Sequence, residues 1–381
     1  MSPSPRVLIL TASYGSGHDA VARALDVAFR AAGARPSVVH HFSELVHPAF
    51  DRWSRRLYSA ILRRAPALWG AGYWIGDRIR SSSGLVMGMG TLGTRGLRAR
   101  LEAERPDVVV STHPTPAGAL SDLRRRGLTR VPHALVFSDF TAHSQWIHPI
   151  VDLYCVPADA VGRQVCDRGV PSERVLTTGI PVRAEFDEPV DPSEVRRAFG
   201  LDPDRPLVLA MAGMLGWTGR LRATTRVLRD LPLPLQAVIV TGRDRRLATE
   251  LAEMTRGAGR RLRVLGYTSE IRRLMAAADL LVSKAGGVTL AEAITTELPV
   301  ICFGSLSGHE RRNERFVVAA GAALPARSSR ELAAAIRRLL SEDGARAELE
   351  RAIRALRRPG AARAVVEALL GRLLGAPTGT R

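Results

Sequence analysis

The chain has 381 residues, beyond the ~250–300 that one hydrophobic core usually serves, so two domains are expected. Mean hydropathy is near zero and no apolar run approaches the ~20 residues of a membrane span, which excludes an integral helical membrane protein; VLIL is too short for a signal peptide. Three cysteines (Cys155, Cys166, Cys302) form no CxxC pair and leave one unpaired, which argues against disulfides and for a cytoplasmic protein.

The net charge of +18 points to an anionic partner: nucleic acid, phosphosugar or acidic lipid. Almost all of the positive charge is arginine. The chain holds one lysine, Lys284, and one asparagine, Asn313, and both fall in one short segment.

In chain order, RVLIL, PSVVHHF, DVVVST, HALVFS and DLYCVP read as strands of a first half. LVLAMAG, LQAVIVTG, LRVLGY, LLVSKAG and PVICFG read as strands of a second. Helical segments such as AVARALDVAFRAAG lie between them. The alternation predicts an α/β protein of two Rossmann-like halves, each a parallel sheet with crossover helices. The expected division is a first half over 1–183, a Pro- and Asp-rich linker over 184–204, a second half over 205–355 and a helical tail over 356–381. Ligands of such sheets bind beyond the carboxyl ends of the strands, so two facing halves would share one cleft.

The first turn, YGSGHDA, places Gly15, Gly17 and Ala20 in the loose dinucleotide pattern G-x-G-x-x-G/A. That pattern wants an acidic residue about 20 positions on to hold a ribose. His40 and His41 stand there instead, which weakens the cofactor reading. Two readings remain level: a glycine turn for tight packing with His18 at the helix start, or a turn that aims His18 into the cleft as a general base.

Residues 51–100 carry ten arginines against Asp51 and Asp77, interleaved with Trp53, Tyr58, Trp69, Tyr73 and Trp74. A glycine-rich apolar run, SSSGLVMGMGTLGTRGLR, follows. Arginines such as Arg55 and Arg56 beside Trp53, Trp69 and Trp74 suit an anionic bilayer, where rings sit at headgroup level. Helical packing is the plain alternative. Single-stranded nucleic acid would favour such a surface, but no RNA-binding signature accompanies it, and nucleic acid is not expected as a partner.

Further along, His113 in STHPTP reads as cleft lining or as a loop cap. Asp139 in VFSDFTAH ends a strand and is an alternative base, or the group that orients a histidine. His143, Trp146 and His148 in TAHSQWIHP lie in an irregular loop, and two histidines five apart there make a poor metal pair. Asp202-Pro203-Asp204, the only D-x-D, reads as a linker turn, so no metal is expected.

In the second half, AGMLGWTGR (212–220) offers Gly213, Gly216 and Gly219 for a backbone approach to phosphate, with bulky Met214, Leu215 and Trp217 between them. SKAGGVTLAEA (283–293) is a second strand–turn–helix. Gly286 and Gly287 admit a ligand close to the backbone, and a helix starting near Thr289 would aim N–H groups at a diphosphate. Thr289 and Glu292 also have the spacing of a capping box. Lys284 reads as a compact ammonium beside that phosphate. His309, Glu310 and Asn313 in FGSLSGHERRNERF follow the next strand and would lie on the same rim.

Taken together, GSGHDAVARAL, SDFTAHSQWIHPIVDLYCVPAD, TTGIPVRAEF, KAGGVTLAEA and SGHERRNERF resemble the diacylglycerol glycosyltransferases. That family includes the bacterial processive glucosyltransferases and the plant monogalactosyldiacylglycerol synthases, and is related to the lipid II-forming N-acetylglucosaminyltransferase. The resemblance spans about residues 6–325. It implies a GT-B fold, a UDP-sugar donor, diacylglycerol or another lipid as acceptor, and inversion at the anomeric carbon, with no cofactor beyond the donor. It implies a peripheral enzyme on the cytoplasmic face of the membrane.

Residue by residue, Gly17 and His18 match the acceptor-facing loop, with His113, His143 and Trp146 placed on that side. Gly286, Gly287 and Thr289 match the diphosphate turn, and Glu292 the ribose-binding glutamate. Gly213, Gly216, Tyr267 (closing LRVLGY), Lys284, His309 and Glu310 complete the donor side. The family usually has Pro-Gly-Gln-Glu where this chain has Ser307, Gly308, His309 and Glu310, which bears on sugar choice. The alternatives are the same fold acting on a polyprenyl-linked or hydroxylated lipid, a sugar-nucleotide epimerase, or a non-catalytic lipid-binding protein.

Overall fold

The computed structural model describes residues 4–78, 91–148, 150–211 and 218–375. It divides into two units. The first comprises residues up to Ala184, with Ser307–His309 and the C-terminal segment from Arg358; the second comprises Glu185–Leu306 and Glu310–Arg357.

In the first unit, β1 (Arg6–Thr11) leads to α1 (Ser16–Ala31), β2 (Arg35–His40), α2 (Pro48–Arg64), α3 (Pro66–Arg78) and α4 (Thr94–Glu104). Then come β3 (Val108–Ser111), α5 (Pro114–Arg125), β4 (His133–Val136), β5 (Leu153–Val156), α6 (Asp159–Cys166) and β6 (Val175–Thr177). The strands pair in parallel in the order β2-β1-β3-β4-β5-β6. Leu8, Ile9, Leu10, Val109, Val110 and Leu135 are fully buried, because helices cover both faces of a parallel sheet.

The second unit begins within the expected linker. Residues 185–206 fold as part of it through α7 (Pro192–Ala198), whose Arg196 bonds Asp279 at 2.7 Å. Asp279 also accepts the Leu207 N–H at 2.7 Å and Arg346 at 3.1 Å, which ties the segment to the sheet. The remaining elements are β7 (Leu207–Met211), α8 (Thr218–Asp230), β8 (Gln236–Val240), α9 (Arg245–Met254), β9 (Leu262–Leu265), α10 (Ile271–Ala277) and β10 (Leu280–Ser283). They continue with α11 (Gly287–Thr295), β11 (Val300–Phe303), α12 (His309–Ala319), β12 (Ala323–Ala326), α13 (Ser329–Ser341) and α14 (Asp343–Leu356). The parallel sheet runs β12-β11-β10-β7-β8-β9.

All ten expected strands are present, and each sheet has one more. β6 is three residues long and β12 carries Pro325; both are sheet edges, where short or proline-bearing strands are tolerated and leave little periodic signal. The last helix, α15 (Ala361–Ala368), belongs to the first unit and packs on α1. Gly179, at φ +86°, admits that returning segment: a Cβ there would stand 2.8 Å from the Cβ of Arg358.

Candidate active site

In each sheet the strand order reverses beside its first strand, and the gap between the diverging crossovers is where such folds bind ligands. In the first unit the reversal lies between β1 and β3. Gly15, at φ +150°, caps α1 without a side chain, and His18 is the helix's third residue, beside Gly17 in its first turn. Its Nδ1 lies 2.8 Å from the carbonyl of Thr112, just past β3, and 2.9 Å from the hydroxyl of Ser138, just past β4. A carbonyl only accepts, so Nδ1 carries the hydrogen and Nε2 keeps its lone pair. Ser138 in turn reaches Asp139 at 3.4 Å, and Asp139 is 8% exposed. Burial lowers the pKa of His18 below that of a free imidazole, which favours the neutral ring, an effect that the Asp139 charge opposes. This is the state of a general base, with Asp139 placed to favour the imidazolium once it forms.

The other histidines of this side have structural partners. His113 accepts the Thr115 N–H at 3.1 Å, so it caps α5, and its ring meets that of His18 edge-on at 4.6 Å. His143 spends both nitrogens, one on the Tyr73 carbonyl at 2.9 Å and one on the Gln145 N–H at 3.1 Å. Trp146 is 4% exposed and stacks on Phe137 at 4.6 Å, with its ring centroid 6.0 Å from that of His18.

Tyr14, in the same glycine turn, donates to Ser54 of α2 at 2.6 Å and packs on Phe42 and Tyr58. The opposite face of α2 exposes Arg52, Trp53, Arg55, Arg56 and Leu57, with Trp53 61% exposed. Trp74 and Ile75 of α3 are likewise exposed, and the Arg78 guanidinium lies 3.3 Å from the Trp74 ring centre. Trp69, of the expected surface set, is half-buried. Its ring packs edge-on against Tyr58 at 4.9 Å and its indole nitrogen is buried, because the aromatic cluster under the glycine turn takes it in. Leu57 and Ile75 take its place; only the tertiary packing of α2 and α3 reveals which apolar side chains stay outside. The run 79–90 lies outside the described residues.

In the second unit the strand order reverses between β7 and β10. A small pocket opens there, lined by Met211, Arg220, Leu221, Thr224, Val282, Ser283, Lys284 and Phe303. Gly213 and Gly216, with the rest of 212–217, lie outside the described residues. Arg220, the one charged residue of AGMLGWTGR, stands in the first turn of α8 with its guanidinium 4.9 Å from the Phe303 ring centre. No motif or spacing in the sequence marks it; its place in the pocket does.

The capping-box reading of Thr289 is overturned. The cap is Gly286, helix α11 starts at Gly287, and Thr289 lies inside its first turn. With no side chain at the cap, no side-chain cap competes for the first-turn N–H groups. Glu292 is half-buried within the same helix. Tyr267 follows β9 and is 65% exposed, with Arg243 5.2 Å from its ring centre. His309 opens α12 and is half-buried.

Lys284 and Glu310, both expected on the donor side, are paired with each other. The ammonium of Lys284 is bonded to Oε1 of Glu310, and Oε2 of Glu310 accepts the Leu306 N–H at 2.9 Å. Glu310 is 2% exposed, and each of its oxygens has a partner within the chain.

Comparison with known proteins bears on both units. Residues 18–182 match the family described as monogalactosyldiacylglycerol (MGDG) synthase, and residues 222–364 match the glycosyltransferase family 28 C-terminal domain. The processive diacylglycerol beta-glucosyltransferase of Bacillus mycoides (strain KBAB4) is 30% identical over 370 residues, covering 97% of this chain and 94% of that protein. The chain belongs to the diacylglycerol glycosyltransferase family.

As a member of that family it is a glycosyltransferase. Among solved structures, Acinetobacter baumannii MurG superposes with a TM-score of 0.64 at 15% identity, covering 95% of this chain and 98% of that one. The S. aureus MnaA–UDP co-structure gives 0.64 at 14% identity, covering 99% of each. These likenesses confirm the expected GT-B class of fold, two Rossmann-like α/β domains, and carry nothing on substrate.

Proposed function

We propose that the chain moves a hexose from a UDP-sugar to diacylglycerol, inverting the anomeric carbon, at an anionic membrane surface on the cytoplasmic side. The observation that carries this reading is the bonding of His18: with Nδ1 donating to the Thr112 carbonyl, Nε2 is the acceptor for a substrate proton. In one displacement the acceptor hydroxyl gives its proton to Nε2 of His18 as its oxygen bonds C1. The bond from C1 to the diphosphate oxygen breaks on the opposite face, and UDP leaves with the electron pair. Asp139 stabilises the imidazolium.

The donor side rests on the first turn of α11. Gly286, Gly287 and Thr289 offer N–H groups to the diphosphate, Glu292 takes the ribose, and Arg220 supplies the cation that Lys284 does not. Tyr267 and His309 are assigned to the nucleoside and the sugar. Purified protein given a panel of UDP-hexoses with dioleoylglycerol, polyprenyl and hydroxylated-lipid acceptors, with products resolved by mass, tests the reading. A β-linked glycosyl-diacylglycerol is expected; transfer to other lipids alone, or none, overturns it.

Membrane docking is assigned to the exposed faces of α2 and α3. No helix among the described residues is long and apolar enough to cross a membrane. The W53S/L57S double variant is expected to sediment with anionic vesicles at least tenfold more weakly than wild type, since each exposed ring or leucine gives up apolar burial in the headgroup region. Wild-type binding falls with salt. Equal sedimentation of variant and wild type removes α2 from the docking face.

A further inference from the structure

We propose that Lys284, Ser305, Glu310 and Asn313 form a buried clamp that sets the glycine turn for a nucleoside diphosphate, which makes Lys284 a positioning residue and not a phosphate ligand. The inference rests on the donor reading above. Ala285, the residue before Gly286, has both backbone groups held by side chains from the 305–313 segment. Its N–H donates to Ser305 Oγ at 3.2 Å, and its carbonyl accepts from Asn313 Nδ2 at 3.2 Å. Next to it, Lys284 is bonded to Glu310, whose second oxygen holds the Leu306 N–H. Asn313 is fully buried; the side chains of Lys284 and Glu310 are 17% and 3% exposed.

Composition supports the same conclusion independently. Of 55 lysines and arginines, 55 − 1 = 54 are arginine, and the lone lysine and lone asparagine of the chain both sit in this clamp. The chemistry explains why arginine does not serve. A guanidinium forms its best pair with a carboxylate through two parallel bonds to both oxygens, and at Glu310 one of those oxygens would have to be shared with the Leu306 N–H. A compact ammonium needs only the other. Asn313 offers a neutral donor short enough to reach the Ala285 carbonyl without burying a charge. Holding the turn in its ligand-ready shape before binding removes the ordering penalty from the binding step.

The test is a cycle of Lys284→Met, Glu310→Met and their double variant, with Lys284→Arg, in the full-length protein. UDP binding is read by calorimetry, and donor KM, acceptor KM and kcat are read in the transfer assay. The clamp predicts that each single variant weakens UDP binding at least tenfold and raises donor KM with acceptor KM unchanged. The double variant recovers part of the loss, because no uncompensated buried charge remains. Lys284→Arg, which keeps the charge, is also weakened at least tenfold. A phosphate-ligand role for Lys284 predicts the reverse: Glu310→Met binds UDP as well as wild type or better, Lys284→Arg is near normal, and the double variant stays as weak as Lys284→Met. Those results overturn the clamp, as does a fall in kcat and melting temperature with donor KM unchanged. Wild-type protein that binds no UDP overturns the donor reading itself, before any variant is compared.

Discussion

His18→Ala is expected to lower turnover by about 10²–10⁴-fold while UDP binding stays within a factor of two, because proton removal by a positioned base is worth that much and the groups assigned to UDP itself lie in the other unit. The ring's second role is structural, through Nδ1 to Thr112 and Ser138, so His18→Gln is the companion variant. It can keep a side-chain amide near the Thr112 carbonyl but has no titratable nitrogen. Equal loss in both variants, with unchanged melting temperature, identifies Nε2 as the working atom. If either retains near wild-type turnover, the base lies elsewhere, and Asp139→Asn is then the variant that should fall.

The second large effect is acid instability confined to the first unit. His41 and His148 are both held neutral by burial, with pKa values near 4 against 6.5 for the free side chain. Burial lowers His133, His113 and His18 as well. Geometry gives the same reason. Nδ1 of His41, Nδ1 of His133 and Nε2 of His148 are buried with no hydrogen-bond partner, so a proton added there becomes a buried donor with nothing to receive it. The unfolded chain binds these protons first, so stability falls as pH drops from about 6.5 towards 4 and is unaffected above that window. A ring kept neutral down to about pH 4 contributes on the order of 3 kcal/mol that is lost across this window.

Urea melts of the wild type are therefore expected to shift steeply to lower midpoint between pH 6.5 and 4.5, with tryptophan signals of the first unit lost first. His148→Gln should flatten the slope by about one proton. A midpoint that is level across that interval rules the account out. Every histidine except His309 lies before residue 149, which is why the effect belongs to one unit.

The fold was legible because its signals are local. Runs such as VLIL and VVV are apolar at every position since parallel strands are buried on both faces, and ten strand-like runs alternating with helical segments suffice to state two Rossmann-like sheets. The glycine turns at 15–17 and 286–287 were equally plain, as glycine is needed where a strand turns sharply into a helix. What a side chain in such a turn does was not local. His18 could be weighed as packing or as base, and the choice between its nitrogens came from Thr112 and Ser138, 94 and 120 residues away. Lys284 looked like a phosphate cation until Glu310, 26 residues on, was found to match it. Trp69, expected on the surface, is half-buried against Tyr58 for the same reason. Residue type and spacing set which chemistry was possible along each strand and turn; only the packing of distant segments decided which atoms were free to perform it, because hydrogen-bond partners and burial are properties of the folded chain.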